Sequence, residues 1–319
     1  MDPEEVTLFE RSLSDATGRA TGADLDNALD ALGWPDALVD DPRTAVSLLF
    51  GLQGASGATS SSIGRVMAHA LGLADGSATV LPAIGGCVPP GSVAGRWLRV
   101  EGLVPGALVD RLSVLVVAST GGGGTTAIKV PTASLELHAV AGIDPDMGLV
   151  RVTGEVEAVG PGTDVVAGAW DAAVGLGRLA IAHQLVGASH AMLNLACDHA
   201  RGRIQFDRPI ASFQAVRHRL AETLVAIAMA EAMLETSWLD LTPDTSAMAK
   251  AVAGRQAKTT ARHCQQVLAG IGFTVEHPFH RYVRRALVLD ALFGTAASLT
   301  TTLGVELIDH RRLPPLLPL

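Results

Sequence analysis

Three long runs in the second half of this chain of 319 residues, 165–201, 213–239 and 245–269, contain no proline. Runs of that length without the strongest helix breaker far exceed a strand and read as helices. In the second run Val216, Leu220, Leu224 and Ile227 fall on one face, and Glu222, Glu231 and Glu235 leave it. The segment 240–244, Asp-Leu-Thr-Pro-Asp, breaks the chain, and its aspartates supply a cap for the next helix. A fourth helix over 284–308 then closes a four-helix bundle ahead of a proline-rich tail.

The remainder divides in two. Residues 1–75 alternate polar caps with apolar residues at helical spacing, as in 24–32 and 63–73, and predict a small helical domain. In 76–163 glycine, proline and valine rise; 112–118 reads as a buried strand, and 134–140 and 150–156 alternate with period two. That is a β domain, followed by the bundle over 164–319, so the expected class is α+β in the order helices, strands, helices. The run Gly121-Gly122-Gly123-Gly124 lies between two of these strands and reads as a hairpin loop, since no P-loop lysine or Rossmann spacing accompanies it.

Composition narrows the function. With 48% hydrophobic and 18% charged residues the chain can bury a large core, built from Ala, Leu and Val because aromatics are only 4%. A net charge of -8 with scattered Lys and Arg argues against nucleic acid, which needs a concentrated basic surface. Cys87, Cys197 and Cys264 lie far apart without metal spacing, so neither a metal site nor a disulfide framework is indicated and a reducing cytoplasm fits. The start, Met1-Asp2-Pro3-Glu4-Glu5, is acidic where a signal peptide is basic, and no apolar run reaches the roughly 18–20 residues of a membrane span.

Chemistry concentrates at two segments. Arg203 lies where the first bundle helix ends, near Arg201 and Arg208, with Gln205 and Gln214 as neutral donors. The local reading is a solvated helix terminus whose cations complement the dipole. The other is a forked cation with nearby donors, which is what a pyrophosphate needs. Arg203, Phe206, Phe213 and Gln214 stand at the spacing of an Arg, Phe-Gly, Phe-Gln pattern, with Asp207 in place of the Gly. Gln266, Leu268, Gly270, Gly272 and Phe273 follow a Gln-hydrophobic-Leu-Gly-Gly-x-Gly-Phe pattern with Ala269 for one Gly, and Glu276, His277, Pro278 and Arg281 continue it. The glycines at 270 and 272 also suit a turn that needs positive φ. Through these motifs the chain resembles the acyl-CoA dehydrogenase family, over roughly the C-terminal 150 residues and in the helix, sheet, helix order throughout.

The resemblance implies FAD, gripped at its pyrophosphate and adenine end by Arg203, Gln205, Phe206, Phe213, Gln214, Gln266, Gly270 and Thr295, largely on behalf of a neighbouring subunit. It also implies α,β-dehydrogenation of an acyl-CoA, in which a carboxylate removes the α-proton while the β-hydride passes to the flavin. That carboxylate is missing. The family's Glu on the loop before the last helix corresponds to Phe293 in Leu292-Phe293-Gly294-Thr295, and the alternative Glu before a shared Arg, here Arg178 on the substrate side, corresponds to Gly177. Asp290, His183 and Asp171 are the nearest substitutes, each better read as a surface or packing residue.

The family's Thr-Glu-Pro, Gly-Ser-Asp and Trp-Ile-Thr segments, which line the flavin ring, are replaced by 81–90 and by 102–107, and Trp97 reads as sheet packing. The expectation is therefore a subunit that completes the FAD site of a catalytic partner in an α2β2 assembly. Actinobacterial enzymes acting on steroid side-chain CoA thioesters are similar, and an electron-transfer acceptor is implied. The shortened N-terminal domain suits a bulky acyl group. The alternatives are a homo-oligomeric dehydrogenase with a non-standard base, and a structural or regulatory subunit without catalysis.

Overall fold

The computed structural model describes residues 1–73, 79–105, 113–158 and 162–311. Residues 3–70 form α1 (Pro3–Arg19), α2 (Ala23–Ala31), α3 (Trp34–Asp40), α4 (Pro42–Ser56) and α5 (Ser62–Ala70). Their starts are written locally. Asp2 and Glu5 close a capping box on α1, and the Asp41 carboxylate accepts from Thr44 N ahead of Pro42 at the first turn of α4.

The middle of the chain forms β1 (Gly91–Ala94), β2 (Trp97–Pro105), β3 (Ser113–Ser119), β4 (Thr125–Pro131), β5 (Glu136–Ala139), β6 (Leu149–Glu157) and β7 (Thr163–Val165). They make one sheet in the order β5-β6-β2-β1-β3-β4-β7, antiparallel except for the β1–β3 pair. The glycine run is the β3–β4 hairpin loop expected of it, with Ser119 opposite Thr125 and Gly123 at φ 81°. Alternation buries Val114, Val116, Ile128 and Val130 against Leu98 and Val100, giving the sheet a core of its own. Trp97 does not join it. It opens β2 half-exposed, with the Arg96 guanidinium 5.3 Å over its ring, because the first residue of the strand projects past the packed face.

The bundle consists of α6 (Ala169–Gly202), α7 (Gln214–Leu239), α8 (Pro243–Leu268), α9 (Phe279–Ala291) and α10 (Ala296–His310). Helix α6 begins after Val165 because 163–165 pair with β4 as a strand. The buried stripe of α7 runs through Thr223, Ile227, Ala230 and Leu234, with Val216 and Leu220 packed against the same core; of the expected face only Leu224 is exposed, its place taken by Thr223. Burying a side chain such as Ile227 is worth about 1.5–3 kcal/mol. The cap of α8 is Thr242, which accepts from Thr245 N, rather than either aspartate.

The expected fourth helix is two. Phe293 at φ 57° and Gly294 at φ 99° lie in the left-handed region, which a right-handed helix cannot contain, so α9 and α10 are separated by a turn. The same turn bears on the expectation that no apolar run is long enough to cross a membrane. An 18-residue window within 279–310 reaches a mean hydropathy of 1.4, but the turn divides that stretch into helices of 13 and 15 residues.

Helices from both ends of the chain share one core. Helix α4 packs on α6 backbone to backbone: a Cβ at Gly187 would lie 2.0 Å from Gly51 O, so a larger residue there would force the helices apart. The sheet is tied in by Arg285 of α9, buried with Asp144 of the β5–β6 connection in an ion pair and donating from Nη1 to Gly57 O at 2.9 Å.

Candidate functional site

At the C-terminal end of α6, Arg203 leaves the helix with its N–H still donating to His199 O at 2.8 Å. The chain then makes a two-stranded hairpin, β8 (Ile204–Gln205) and β9 (Arg208–Pro209), turning at Phe206 and Asp207. Phe206 is 84% exposed. Its ring meets Phe213 edge-on at 6.1 Å, and the Arg208 guanidinium lies 4.4 Å over the other aromatic. The end of α8 comes alongside, so Gln205, Phe206, Phe213 and Gln266 line one groove of about 840 Å³. The two sequence motifs therefore meet in space. Arg203, Gln214 and Gly270 are exposed and are not part of the groove wall. Thr295 is elsewhere, capping α10 by accepting from Ser298 N at 3.0 Å.

Backbone strain marks the same segments. Among the described residues, non-glycine residues at positive φ are Phe206, Asp207, Ala269, Phe293 and Arg311, and four of the five belong to the motifs singled out in the sequence. Asp207 at 61° and Ala269 at 52° occupy the two positions where a glycine of the family pattern is replaced, and both hold the left-handed φ that glycine adopts most easily. Such conformations cost about 1–3 kcal/mol each and persist where the surroundings hold them. The expected positive φ at Gly270 and Gly272 is carried by Ala269 instead. Gly272 is closely packed, since a Cβ there would meet the Gln265 amide at 2.7 Å and Leu268 Cβ at 3.0 Å.

The second location is the junction of α6, α8 and the α9–α10 turn. Phe293 is buried, and a Cβ built at Gly177 would lie 3.1–3.2 Å from its ring carbons, so the two positions at which the family's Glu is expected face each other and are filled by one aromatic ring. Arg178, also buried, donates from Nε to Phe293 O at 3.2 Å and from Nη2 to Cys87 Sγ at 3.0 Å, and Trp170 Nε1 donates to Cys87 O at 2.6 Å. Lys250 of α8 is wholly buried and donates to Asp290 O at 3.1 Å and Gly294 O at 3.2 Å. Burial pushes its ammonium down to about 8, opposed by Asp290 and reinforced by Arg178 and Lys258.

None of the three substitute bases is free at this junction. Asp290 is buried with Oδ2 2.6 Å from Lys258 Nζ and Oδ1 accepting from Ala296 N at 3.0 Å. His183 receives Trp238 Nε1–H at 3.0 Å on Nε2, with Ser47 Oγ at 3.1 Å, and burial followed by Arg43 pushes it down to about 4. Asp171 is exposed in the first turn of α6. Of the region compared with the flavin-ring segments, 82–90 offers one polar side chain, Cys87, already bound by Arg178; Gly106 and Ala107 lie outside the described residues.

The roles of several residues are not legible in the sequence. Arg219, Arg262 and His263 line the groove, and Lys250 and Cys87 hold the junction. A helical signal for Arg262 exists: it lies one turn before Gln266 on the same face. Lys250 carries no such signal, because only the turn it braces explains its burial.

Residues 169–307 match the family model described as acyl-CoA dehydrogenase, C-terminal domain. Acyl-CoA dehydrogenase IpdE2 of Mycobacterium tuberculosis is 34% identical over 173 residues, which span 54% of this chain and 50% of that protein. The match therefore covers about half the length of that curated relative. Among solved structures, the ChsE4-ChsE5 complex from Mycobacterium tuberculosis is similar with a TM-score of 0.79 at 20% identity, covering 99% of each chain. The steroid ACAD Tcur3481-Tcur3483 is similar with a TM-score of 0.80 at 20% identity, covering 97% of this chain and 99% of that one. Residues 169–307 thus match an acyl-CoA dehydrogenase C-terminal domain, and the chain as a whole shares the fold of these solved structures.

Proposed function

We propose that the chain is a subunit of an FAD-dependent acyl-CoA dehydrogenase, completing the FAD site of a catalytic partner that owns the general base. The reaction is α,β-dehydrogenation of a CoA thioester, with the flavin accepting the hydride when bound. A steroid side chain is the acyl class favoured by the likeness to a steroid ACAD. The partner in an α2β2 assembly is a second acyl-CoA dehydrogenase chain, and the electrons pass on to an electron-transfer acceptor.

One observation carries this reading: the groove and the junction stand at opposite ends of α6. Arg178 and Arg203 are separated by 25 residues of helix, about 37 Å at 1.5 Å per residue. A dinucleotide gripped in this groove cannot reach this chain's own junction, so its ring is presented to another subunit. The residues fit one half of FAD and not the other. The groove offers one exposed and one half-buried aromatic ring, amides and cations suited to an adenosine diphosphate, whereas 82–90 offers no free polar side chain and Phe293 fills the place of a base. The sealed junction and the engaged Asp290 and His183 weigh against a homo-oligomer with a substitute base.

The test is co-expression with the chain encoded beside it. The expected product is a yellow complex with dehydrogenase activity, whose flavin content drops in Arg203→Ala. A colourless, inactive complex, or full flavin occupancy without Arg203, would overturn the proposal. So would flavin binding with acyl-CoA oxidation by the isolated chain.

A further inference from the structure

The buried Arg285–Asp144 pair lies at the floor of a cavity that shares no lining residue with the groove. It measures about 540 Å³ and sits where three parts of the chain meet: the ends of α1 and α4, the β5–β6 connection and the first turns of α9. Such meetings of domains are where proteins most often hold small molecules.

Five charged side chains line it. Arg285 and Asp144 cancel each other, and Arg285 Nη1 is taken by Gly57 O at 2.9 Å. Arg19, Arg281 and Asp146 remain, two cations against one carboxylate. Arg19 reaches only Asp15 of its own helix, at 3.9 Å with both side chains largely exposed, a contact that water screens and an incoming anion displaces. Arg281 has no hydrogen-bond or ion-pair partner for its side chain among the described residues. It stands one turn before Arg285 on the same face of α9, so both project into the cavity.

The cavity supplies acceptors as well. Gly18 and Arg19 close α1 and Ser56 closes α4, and carbonyls in a last turn lack helical donors. Tyr282 donates its hydroxyl hydrogen to Ala55 O at 2.9 Å, which leaves its oxygen to accept. Forked cations beside a set of acceptors suit a molecule with an oxyanion at one end and hydroxyl groups at the other.

We infer that this cavity binds a small hydroxylated anion, its oxyanion seated by Arg281 and Arg19 and its hydroxyl groups by Asp146, Tyr282 and the helix ends. Phosphate esters and hydroxy acids share that chemistry, and titration decides between them. The occupant bridges the N-terminal helices, the sheet and the bundle, and it is independent of the flavin.

The probes are glycerol 3-phosphate and glycerate, titrated into the full-length chain at constant ionic strength and followed by calorimetry and amide hydrogen exchange. Saturable binding of at least one is expected, with slower exchange at 17–21 and 142–147. Arg281→Gln should weaken it by about tenfold or more, and Arg281→Lys should recover part of that loss, because the charge returns without the fork. Arg262→Gln, in the separate groove, should leave the affinity within about twofold. Tighter binding of glycerol 3-phosphate assigns the site to phosphate esters, and tighter binding of glycerate to hydroxy acids. No saturable binding of either probe would overturn the proposal. So would equal affinity in Arg281→Gln, unchanged exchange at both segments, or a loss in Arg262→Gln as large as in Arg281→Gln.

Discussion

Helices α6 and α8 each pass through two chemically opposite regions. At one end Gly177 and Arg178 of α6 and Lys250 of α8 meet the Phe293 turn, where each buried cation has partners and an aromatic ring occupies the space. At the other, Gln205 and Phe206 just past α6 and Gln266 of α8 line an open groove with Arg219 and Arg262, and Phe206 is largely exposed. A buried polar group left unpaired costs about 1–3 kcal/mol, and the cations of the first region avoid that cost by bonding within the chain. The second keeps strained backbone and unpaired charge, which a lone chain has no stability reason to retain. The contrast teaches which end of these helices is satisfied within the chain and, on the function proposed above, which end is offered to a partner.

The largest effect should come from opening the sealed end. Phe293→Ala removes a buried ring and leaves a cavity against Gly177, an expected loss of about 3–5 kcal/mol in urea unfolding. Gly177→Ala should also destabilise the chain, because its Cβ would crowd a ring at 3.1 Å, but that cost should vanish once Phe293 is alanine. Additive losses would mean that the two positions do not touch, and the comparison would lose one side.

Much of this was legible in the sequence, and unevenly. The helix, sheet, helix order and the hairpin at the glycine run follow from period and turn residues, and the meeting of the two motifs from the family resemblance. The division of the fourth helix did not, because apolar spacing is continuous across 284–308 and the break depends on a non-glycine residue, Phe293, held at positive φ by buried donors from α6 and α8. Leu224 was misplaced for a related reason. Leu224 and Thr223 adjoin on α7, and the burial of Thr223 is decided by its hydrogen bond to His263, which hydrophobic periodicity cannot register. Arg219 and Arg262 were missed because a lone charged residue on a helix reads as solvated until the opposite wall is known.

A second effect distinguishes the regions by pH. His183 lies in the packed part of α6, where it stays neutral, first through burial and then through Arg43, with Ser47 and Trp238 at Nε2. Its folded pKa of about 4 lies below the usual 6.5, so the unfolded chain binds the extra proton first. Stability is then complete above about pH 6.5 and falls as the pH drops toward 4, by about 3 kcal/mol from this group. Urea midpoints measured from pH 7 to pH 4 should show that slope, and His183→Gln should flatten it. A slope unchanged in the variant would place the acid sensitivity elsewhere.

The smallest effect tests the open end. Phe206 is 84% exposed and sits at φ 53°, so truncating it removes little burial and leaves the turn as strained as before. Phe206→Ala should alter the unfolding free energy of the isolated chain by no more than about 0.5 kcal/mol, the usual range for a surface position. In the mixed complex the same change should lower flavin content, because an exposed aromatic ring beside cations contributes only when something lies against it. The two measurements must diverge for the comparison to hold. A stability loss as large as that of Phe293→Ala would show that the ring is packed in the free chain. The groove would then be a second sealed region, with no surface offered to a partner.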